Sequence, residues 1–375
     1  MSGILHVTQC LGGVETYIRS FHDHDGFADF KERLLVAPSA CALTKEWENC
    51  GGTVDILPMP RELSITSDVR ATLSLFRTIR RHKPNVLHLH SSKAGAIGRA
   101  AALFCKLLGQ KFQVVYTPHA YYYLALEGHR RFVFLWIERI LSHFTDRLLA
   151  TSPSEASRSI EDVGYPQRKV VTVSNGVATT PVHTSPPTGK SHTPFTIIFV
   201  GRICHQKNVE LLIETVAQFK SSESVVFQIV GAGHYDSDRQ QLDALLETAK
   251  VDTGLVEIIP WLDHEQVLDR FRQADACLVT SRYESFGYVA AEAAAAAIPV
   301  VATNVDGLKD IVEDGKTGFL LTDPSGEQLA SCIRRLIDDP QLSTSMGRLG
   351  KDRINSYFNI AANSQLMRKF YSSIS

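Results

Sequence analysis

The sequence predicts an α/β chain of two doubly wound, parallel-sheet domains facing one another across a cleft. Short runs rich in Val, Ile and Leu recur along the chain with little polar alternation, as in strands buried on both faces of a parallel sheet. Helix-like stretches lie between them, and the β-α-β order implies right-handed crossovers. The length of 375 residues also exceeds the roughly 250–300 residues at which a single α/β core stops growing.

In chain order, residues 4–8, 33–37, 54–57, 86–89, 114–117 and 148–151 read as strands, with helices over 67–82 and 94–108. Residues 170–173 run into Asn175-Gly176, a strong turn signal. Residues 182–194 (VHTSPPTGKSHTP) have the composition of an interdomain linker. The pattern then restarts with strands over 195–200, 225–230, 255–259, 276–280 and 299–303, and helices over 209–219, 239–250, 265–272 and 288–297. A helical stretch at 360–373 is left over after the second sheet. The expected division is 1–178 with a terminal helix at 358–375, a linker at 179–194, and 195–357.

Composition is that of a soluble globular protein, 44% hydrophobic and 21% charged. The seven cysteines are Cys10, Cys41, Cys50, Cys105, Cys204, Cys277 and Cys332. They are scattered and never form a C-x-x-C pair, which points to a reducing compartment and away from a zinc site. The N-terminus lacks a signal-peptide pattern, and the apolar run at 132–137 is too short to span a bilayer. A cytoplasmic location is expected, with no nucleic-acid partner. Residues 1–178 carry 21 Lys+Arg and 16 Asp+Glu, and the remainder 18 and 24. Two domains with different partners, or plain chance, would give this asymmetry.

The sharpest local feature is Glu284-Ser285-Phe286-Gly287 followed by Glu292. The loop starts at a predicted strand end and opens a helix, a position where ligands bind in open α/β sheets. The amides of Ser285, Phe286 and Gly287 would lie at a helix N-terminus, a ready site for phosphate. Glu292, about one turn into an alanine-rich helix, could accept from the two hydroxyls of a ribose. A buried glutamate there is costly without a partner.

Gly201-Arg202-Ile-Cys-His-Gln-Lys207 follows another strand. The glycine permits close backbone approach, and Arg202 with Lys207 suits a diphosphate. Their attraction would be greatest as negative charge grows on a departing phosphate. In the first half, Leu11-Gly12-Gly13 follows strand one but is not G-x-G-x-x-G. It is either a site where amides approach a phosphate or an acceptor hydroxyl, or a plain tight turn. Gly231-Ala-Gly233 is a similar turn in the second half. His119 follows a strand end and could donate to a sugar hydroxyl or a phosphate oxygen, or be structural. His88 and His90 alternate on one strand face with no carboxylate at close spacing, so no metal is expected. Residues 128–144 mix Arg130, Arg131 and Arg139 with Phe132, Phe134, Leu135 and Trp136. That stretch reads either as a surface helix on an anionic membrane or as a core-packing helix with basic outer residues.

Taken together, GGVET (12–16), HSSKAGAIGR (90–99), TPHA (117–120), SNGV (174–177), VGRICHQKN (200–208), the Glu284–Glu292 pair and DGKTGFLL (314–321) resemble glycosyltransferase family 4, retaining enzymes with two Rossmann-like domains in the GT-B fold. HSSKAG and TPHA look most like bacterial enzymes of capsule, exopolysaccharide or lipopolysaccharide assembly. The resemblance implies a nucleotide-sugar donor, UDP-sugar favoured, a glycan or lipid-linked acceptor, and no cofactor or divalent metal. It implies that Arg202 and Lys207 bind the diphosphate and that Glu284 holds the transferred sugar. Ser285, Phe286 and Gly287 would contact sugar and phosphates through backbone amides, and Glu292 would bind ribose. His119 and Gly13 would face the donor from the other domain. Retention would follow from attack on the face the leaving group departs, with a donor phosphate oxygen taking the acceptor proton. The last helix would cross back to the first domain. Pro260, Trp261 and Leu262 stand where the family often has glycine beside the nucleobase, which makes Trp261 the candidate base contact. The alternatives are a nucleotide-sugar-binding scaffold without turnover, and an NAD-dependent two-domain dehydrogenase, which the missing G-x-G-x-x-G disfavours.

Overall fold

Five consecutive buried residues, Gly3–Val7, open the chain as β1 in a computed structural model that describes residues 3–9, 12–60, 64–178, 194–220, 222–232 and 236–374. The chain divides into two units, Met1–Asn175 with Ile360–Ser375, and Gly176–Asn359. Cys10, Leu11, Gly233 and most of the expected linker lie outside the described residues.

In the first unit α1 (Gly13–Asp23), β2 (Glu32–Ala37), α2 (Ala42–Asn49), β3 (Thr53–Ile56), α3 (Ile65–His82), β4 (Val86–His90), α4 (Ser92–Leu107), β5 (Gln113–Thr117), α5 (Gly128–Ser142), β6 (Arg147–Ala150), α6 (Pro153–Arg158) and β7 (Val170–Thr172) follow β1. The sheet is parallel throughout, in the order β3-β2-β1-β4-β5-β6-β7. Its central strands are buried on both faces, which is why they read as continuous apolar runs. Leu5, Val7, Leu87 and Leu89 face the α3–α4 side, and Ile4 and Val86 face the side of α1 and α2. Each fully buried aliphatic side chain contributes about 1.5–3 kcal/mol.

The second unit continues with β8 (Phe195–Val200), α7 (Val209–Val216), β9 (Val225–Val230), α8 (Asp236–Thr248), β10 (Val256–Ile259), α9 (His264–Gln273), β11 (Ala276–Val279), α10 (Tyr288–Ala295), β12 (Val300–Thr303), α11 (Asp306–Ile311), β13 (Gly318–Leu321), α12 (Gly326–Asp338) and α13 (Pro340–Tyr357). Its sheet order is β10-β9-β8-β11-β12-β13, again parallel. Both sheets therefore reverse their winding once, between β1 and β4 and between β8 and β11. Ligands of open α/β sheets bind outside the strand ends at that switch point.

Among the departures from the sequence expectation, three matter most. The edge strand β13, inside DGKTGFLL, is too short and too glycine-bound to stand out as a strand, and a Cβ on Gly318 would lie 2.1 Å from Val300 O. Helices α12 and α13, not anticipated, start at strong local signals. Ser325 and Gln328 form a reciprocal capping box at α12, and Asp339 caps α13 with Pro340 in its first turn. Helix α10 ends at Ala295, two residues before the expected 297, and Ala297 has φ +63°. Its small residues admit α13 closely: a Cβ on Gly347 would lie 2.0 Å from Ala297 O.

The last helix, α14 (Ile360–Ile374), belongs to the first unit. Its Ile360, Met367, Phe370 and Tyr371 are buried among Tyr17, Phe21 and Phe27.

Candidate active site

At the switch point of the second sheet, β8 and β11 each end in a loop that opens a helix. The β8 end is packed backbone on backbone, since a Cβ on Gly231 would lie 2.6 Å from Gly201 O. The Lys207 stem lies over Gly201, whose added Cβ would meet Lys207 Cε at 3.1 Å. Gly201 thus leaves room for the lysine to fold back across the strand end.

Lys207 Nζ lies 2.5 Å from Glu284 Oε1, and Ser281 Oγ donates to the same oxygen at 2.9 Å. The two loops are also stitched through their backbones. Thr280 Oγ1 donates to Lys207 O at 2.7 Å, Arg282 N to Gln206 O at 2.8 Å, and Gln206 Nε2 to Tyr283 O at 3.2 Å. On the far side Gly307 N donates to Glu284 O at 3.1 Å, and a Cβ on Gly307 would sit 2.5 Å from Phe286 Cα. The Glu284 loop is therefore held from two directions, with Phe286 buried as its anchor.

The charged groups are not all spent on each other. The Lys207 and Glu284 side chains are 16% and 11% exposed, so their pair is largely removed from water. Arg202, half-buried on the same β8 loop, has no hydrogen-bond or ion-pair partner among the described residues. Gly287, at φ +94°, caps α10 without any side-chain hydrogen bond to the helix start. A cation without a carboxylate partner and an uncapped helix N-terminus together favour an anion.

Glu292 is buried on α10, and His264 Nε2 lies 2.9 Å from its Oε1. This supplies the partner that a buried glutamate requires. His264 carried no sequence signal of its own. The capping box of Asp263 and Gln266 places it in the first turn of α9. Trp261 follows the end of β10 and is 52% exposed. Among the predicted residues of this unit, the structure joins Gly201, Lys207 and Glu284 directly. Ser285, Phe286, Gly287 and Glu292 follow on the same loop and helix.

In the first unit Gly12, at φ +55°, is the N-cap of α1 and Gly13 its first residue. His119 and Ala120 follow β5 with φ +52° and +69°, a left-handed pair without glycine. Glu155 supports the bend, accepting from Ala120 N at 3.0 Å through Oε1 and from Thr151 N and Oγ1 at 2.8 Å through Oε2. His119 Nε2 lies 3.1 Å from His90 Nδ1, and His90 Nε2 lies 3.0 Å from His6 Nδ1. His6 faces His88 in register across β1 and β4, so a residue inside an apolar strand joins a histidine cluster. The nitrogens of His6, His88 and His90 lie within 4.8 Å of one another, as metal ligands could. Both nitrogens of His88 and of His90 already take part in hydrogen bonds within the protein. Burial pushes the His6 and His119 imidazoles down to about 3 and holds His88 and His90 well below their usual range.

Helix α5 is inverted relative to an ordinary amphipathic helix. It buries Glu138, whose Oε2 lies 2.9 Å from Arg99 Nη2. It exposes Phe132, Val133, Trp136 and Ile140, each by more than half. Phe134 and Leu135 pack partly against the core. No described helix is long and apolar enough to cross a membrane.

Two parallel sheets, each reversing once at a switch point, define a two-unit α/β protein, with glycine and charge lining the switch point of the second. The family model for Glycosyltransferase Family 4 matches residues 11–180, and that for Glycosyl transferases group 1 matches residues 184–353. The chain is 32% identical over 256 residues to an uncharacterised 41.2 kDa protein in the cps region of Klebsiella pneumoniae, covering 66% of this chain and 68% of that one. It is 24% identical over 332 residues to the UDP-Gal:alpha-D-GlcNAc-diphosphoundecaprenol alpha-1,3-galactosyltransferase of Escherichia coli, covering 83% and 81%. Among solved structures, HepE of Anabaena in complex with UDP-glucose superposes with a TM-score of 0.79 at 19% identity, covering 99% of each chain. The fold is GT-B, and the chain belongs to glycosyltransferase family 4. It is a glycosyltransferase, and the dehydrogenase reading falls away.

Proposed function

We propose that the protein transfers a sugar from a nucleotide-sugar donor, a UDP-sugar, to a glycan or lipid-linked acceptor in bacterial cell-surface polysaccharide synthesis, with retention and without a metal ion. The observation that carries this reading is the gathering of Arg202, Lys207 and the uncapped start of α10 at one switch point. These groups supply the positive charge that a departing diphosphate needs, each charge-assisted bond contributing roughly 1.5–3 kcal/mol. Glu284 takes the hydroxyls of the transferred sugar, its carboxylate oriented by Lys207 and Ser281. Ser285, Phe286 and Gly287 meet sugar and phosphates through their amides. Glu292 takes the ribose and Trp261 the base. In the first unit, Gly12, Gly13 and His119 are the groups offered to a substrate phosphate or sugar hydroxyl. The UDP-sugar and the lipid-linked acceptor are supported by the Escherichia coli UDP-Gal:alpha-D-GlcNAc-diphosphoundecaprenol alpha-1,3-galactosyltransferase and by the Anabaena structure in complex with UDP-glucose.

The exposed apolar face of α5, flanked by Arg130, Arg131 and Arg139, supports peripheral docking on an anionic membrane, with the enzyme on the cytoplasmic side. Such docking would bring the protein to a lipid-linked acceptor.

The test is a screen of UDP-, GDP- and ADP-sugars in EDTA with lipid-linked and oligosaccharide acceptors, the product anomer read by NMR. Nucleotide release from a UDP-sugar and a product of the donor's own anomeric configuration are expected. Strict dependence on added metal or an inverted product would overturn those parts of the reading, and donor binding without turnover would favour a scaffold.

A further inference from the structure

His119, His90 and His6 form a hydrogen-bonded row that starts at the strained bend after β5 and runs into the sheet. Each link joins one ring nitrogen to the next, so the proton positions are coupled. All three rings are neutral at pH 7, since burial lowers each of them far below that value. A neutral imidazole has one N–H and one bare nitrogen. The row therefore has two self-consistent states. In one, His6 and His90 carry their protons on Nδ1 and each donates toward His119. In the other, the N–H groups all run the opposite way.

The inner end decides between them. His6 Nε2 is buried and has no hydrogen-bond partner. In the second state it would carry a buried N–H without an acceptor. In the first it holds a bare lone pair, and an orphaned acceptor is better tolerated than an orphaned donor. The first state is thus selected, and it leaves the His119 proton on Nδ1. No hydrogen bond to that nitrogen occurs among the described residues, and His119 is only half-buried in the bend after β5. The neighbouring ring has its own fixed state. Thr117 Oγ1 donates to Leu149 O, so His88 Nε2 must donate to Thr117 and His88 Nδ1 must accept from Tyr371 OH at 2.6 Å. His88 therefore stands apart from the row.

We propose that His6 and His90 are positioning residues that lock His119 in its Nδ1–H tautomer, so that His119 offers a hydrogen-bond donor, not a lone pair, to a substrate oxygen. The ligand class this selects is an acceptor oxygen, from a hydroxyl or a phosphate, with a group that can only donate disfavoured in its place. The proposal rests on the reading that His119 touches substrate.

The experiment is long-range 1H–15N NMR on the full-length protein carrying 15N-histidine, with His119→Gln used for assignment. The expected spectrum shows His119 with a protonated Nδ1 and a bare Nε2, and His6 with a bare Nε2. A wild-type His119 protonated on Nε2 overturns the proposal, whatever any variant does. Two variants then test the coupling. His90→Asn keeps an N–H near the Nδ1 position and is expected to retain the tautomer and most of kcat/KM. His90→Leu removes the donor and is expected to shift His119 toward Nε2–H and to lower kcat/KM at least tenfold at unchanged affinity for UDP. Unchanged His119 signals in folded His90→Leu would contradict the coupling. If His119→Ala leaves kcat/KM intact while the tautomer stands, substrate contact fails and the tautomer assignment survives.

Discussion

Lys207 Nζ sits 2.5 Å from Glu284 Oε1 and thereby joins the loops on either side of the second sheet's switch point. The pair holds a carboxylate and an ammonium in fixed positions before any ligand arrives, with Arg202 on the same loop as Lys207. Preorganisation of this kind lowers the cost of reorganising charge during reaction.

Removing either partner is expected to cost more catalysis than stability. Lys207→Ala or Glu284→Ala should lower kcat by more than ~100-fold, the size of one lost preorganised electrostatic contact. Steady-state kinetics with a saturating acceptor checks this, and near-normal turnover in either variant removes the assigned role.

Glu292 and His264 bear on donor affinity. Glu292→Gln keeps the shape and removes the charge. It is expected to raise the donor KM about tenfold, or ~1.4 kcal/mol, with kcat little changed. His264→Ala should have a smaller effect, because His264 is mostly exposed and Glu292 keeps its carboxylate. A fall in kcat at unchanged KM would move Glu292 from binding to chemistry.

The buried histidines make stability pH-dependent. The His6 pKa falls from 6.5 unfolded to about 3 folded, so the unfolded chain binds the extra proton between those values. Stability is complete above pH 6.5 and declines as pH falls, by ~1.4 kcal/mol per pH unit for each such histidine. Denaturant unfolding at pH 7.5, 6.0 and 5.0 reads this above the range where carboxylates titrate. A flat profile from 6.5 to 5.0 would show that the cluster takes up protons while folded.

Phe286 depends on the bare backbone at Gly307. Gly307→Ala places a methyl 2.5 Å from Phe286 Cα and O, so the backbone must move. Destabilisation of ~1–3 kcal/mol is expected, with weaker donor binding in the protein that remains folded. Thermal unfolding with and without UDP checks both effects.

For helix α5, Trp136→Ser with Phe132→Ser should reduce binding to phosphatidylglycerol vesicles, and Arg130→Glu with Arg131→Glu should remove its salt dependence. Vesicle co-sedimentation reads both. Equal binding by the wild type and all variants would leave the exposed face without this role.

The fold was largely legible because parallel strands buried on both faces are continuous apolar runs, and nearly every one of them appears where such a run occurs. β13 escaped because four residues beginning with glycine carry too little pattern. The loops bearing Arg202, Lys207 and Glu284 were legible from their places after strands, but the pairing of Lys207 with Glu284 depends on which strands are neighbours. His6 was hidden for the same reason. Its meaning arises only when β1 pairs with β4 and sets it opposite His88. Helix α5 shows the limit of periodicity. It is apolar on several faces, and the burial of Glu138 is decided by Arg99, 39 residues away.

The most direct measurement is calorimetric titration of UDP and of uridine into the wild type, Arg202→Ala and Lys207→Ala in EDTA. UDP affinity is expected to fall at least tenfold in each variant, ~1.4 kcal/mol or more, while uridine binding stays unchanged, because the cations act on the diphosphate. Equal UDP affinity in all three proteins, or parallel losses for uridine, would contradict capture of the pyrophosphate at this switch point.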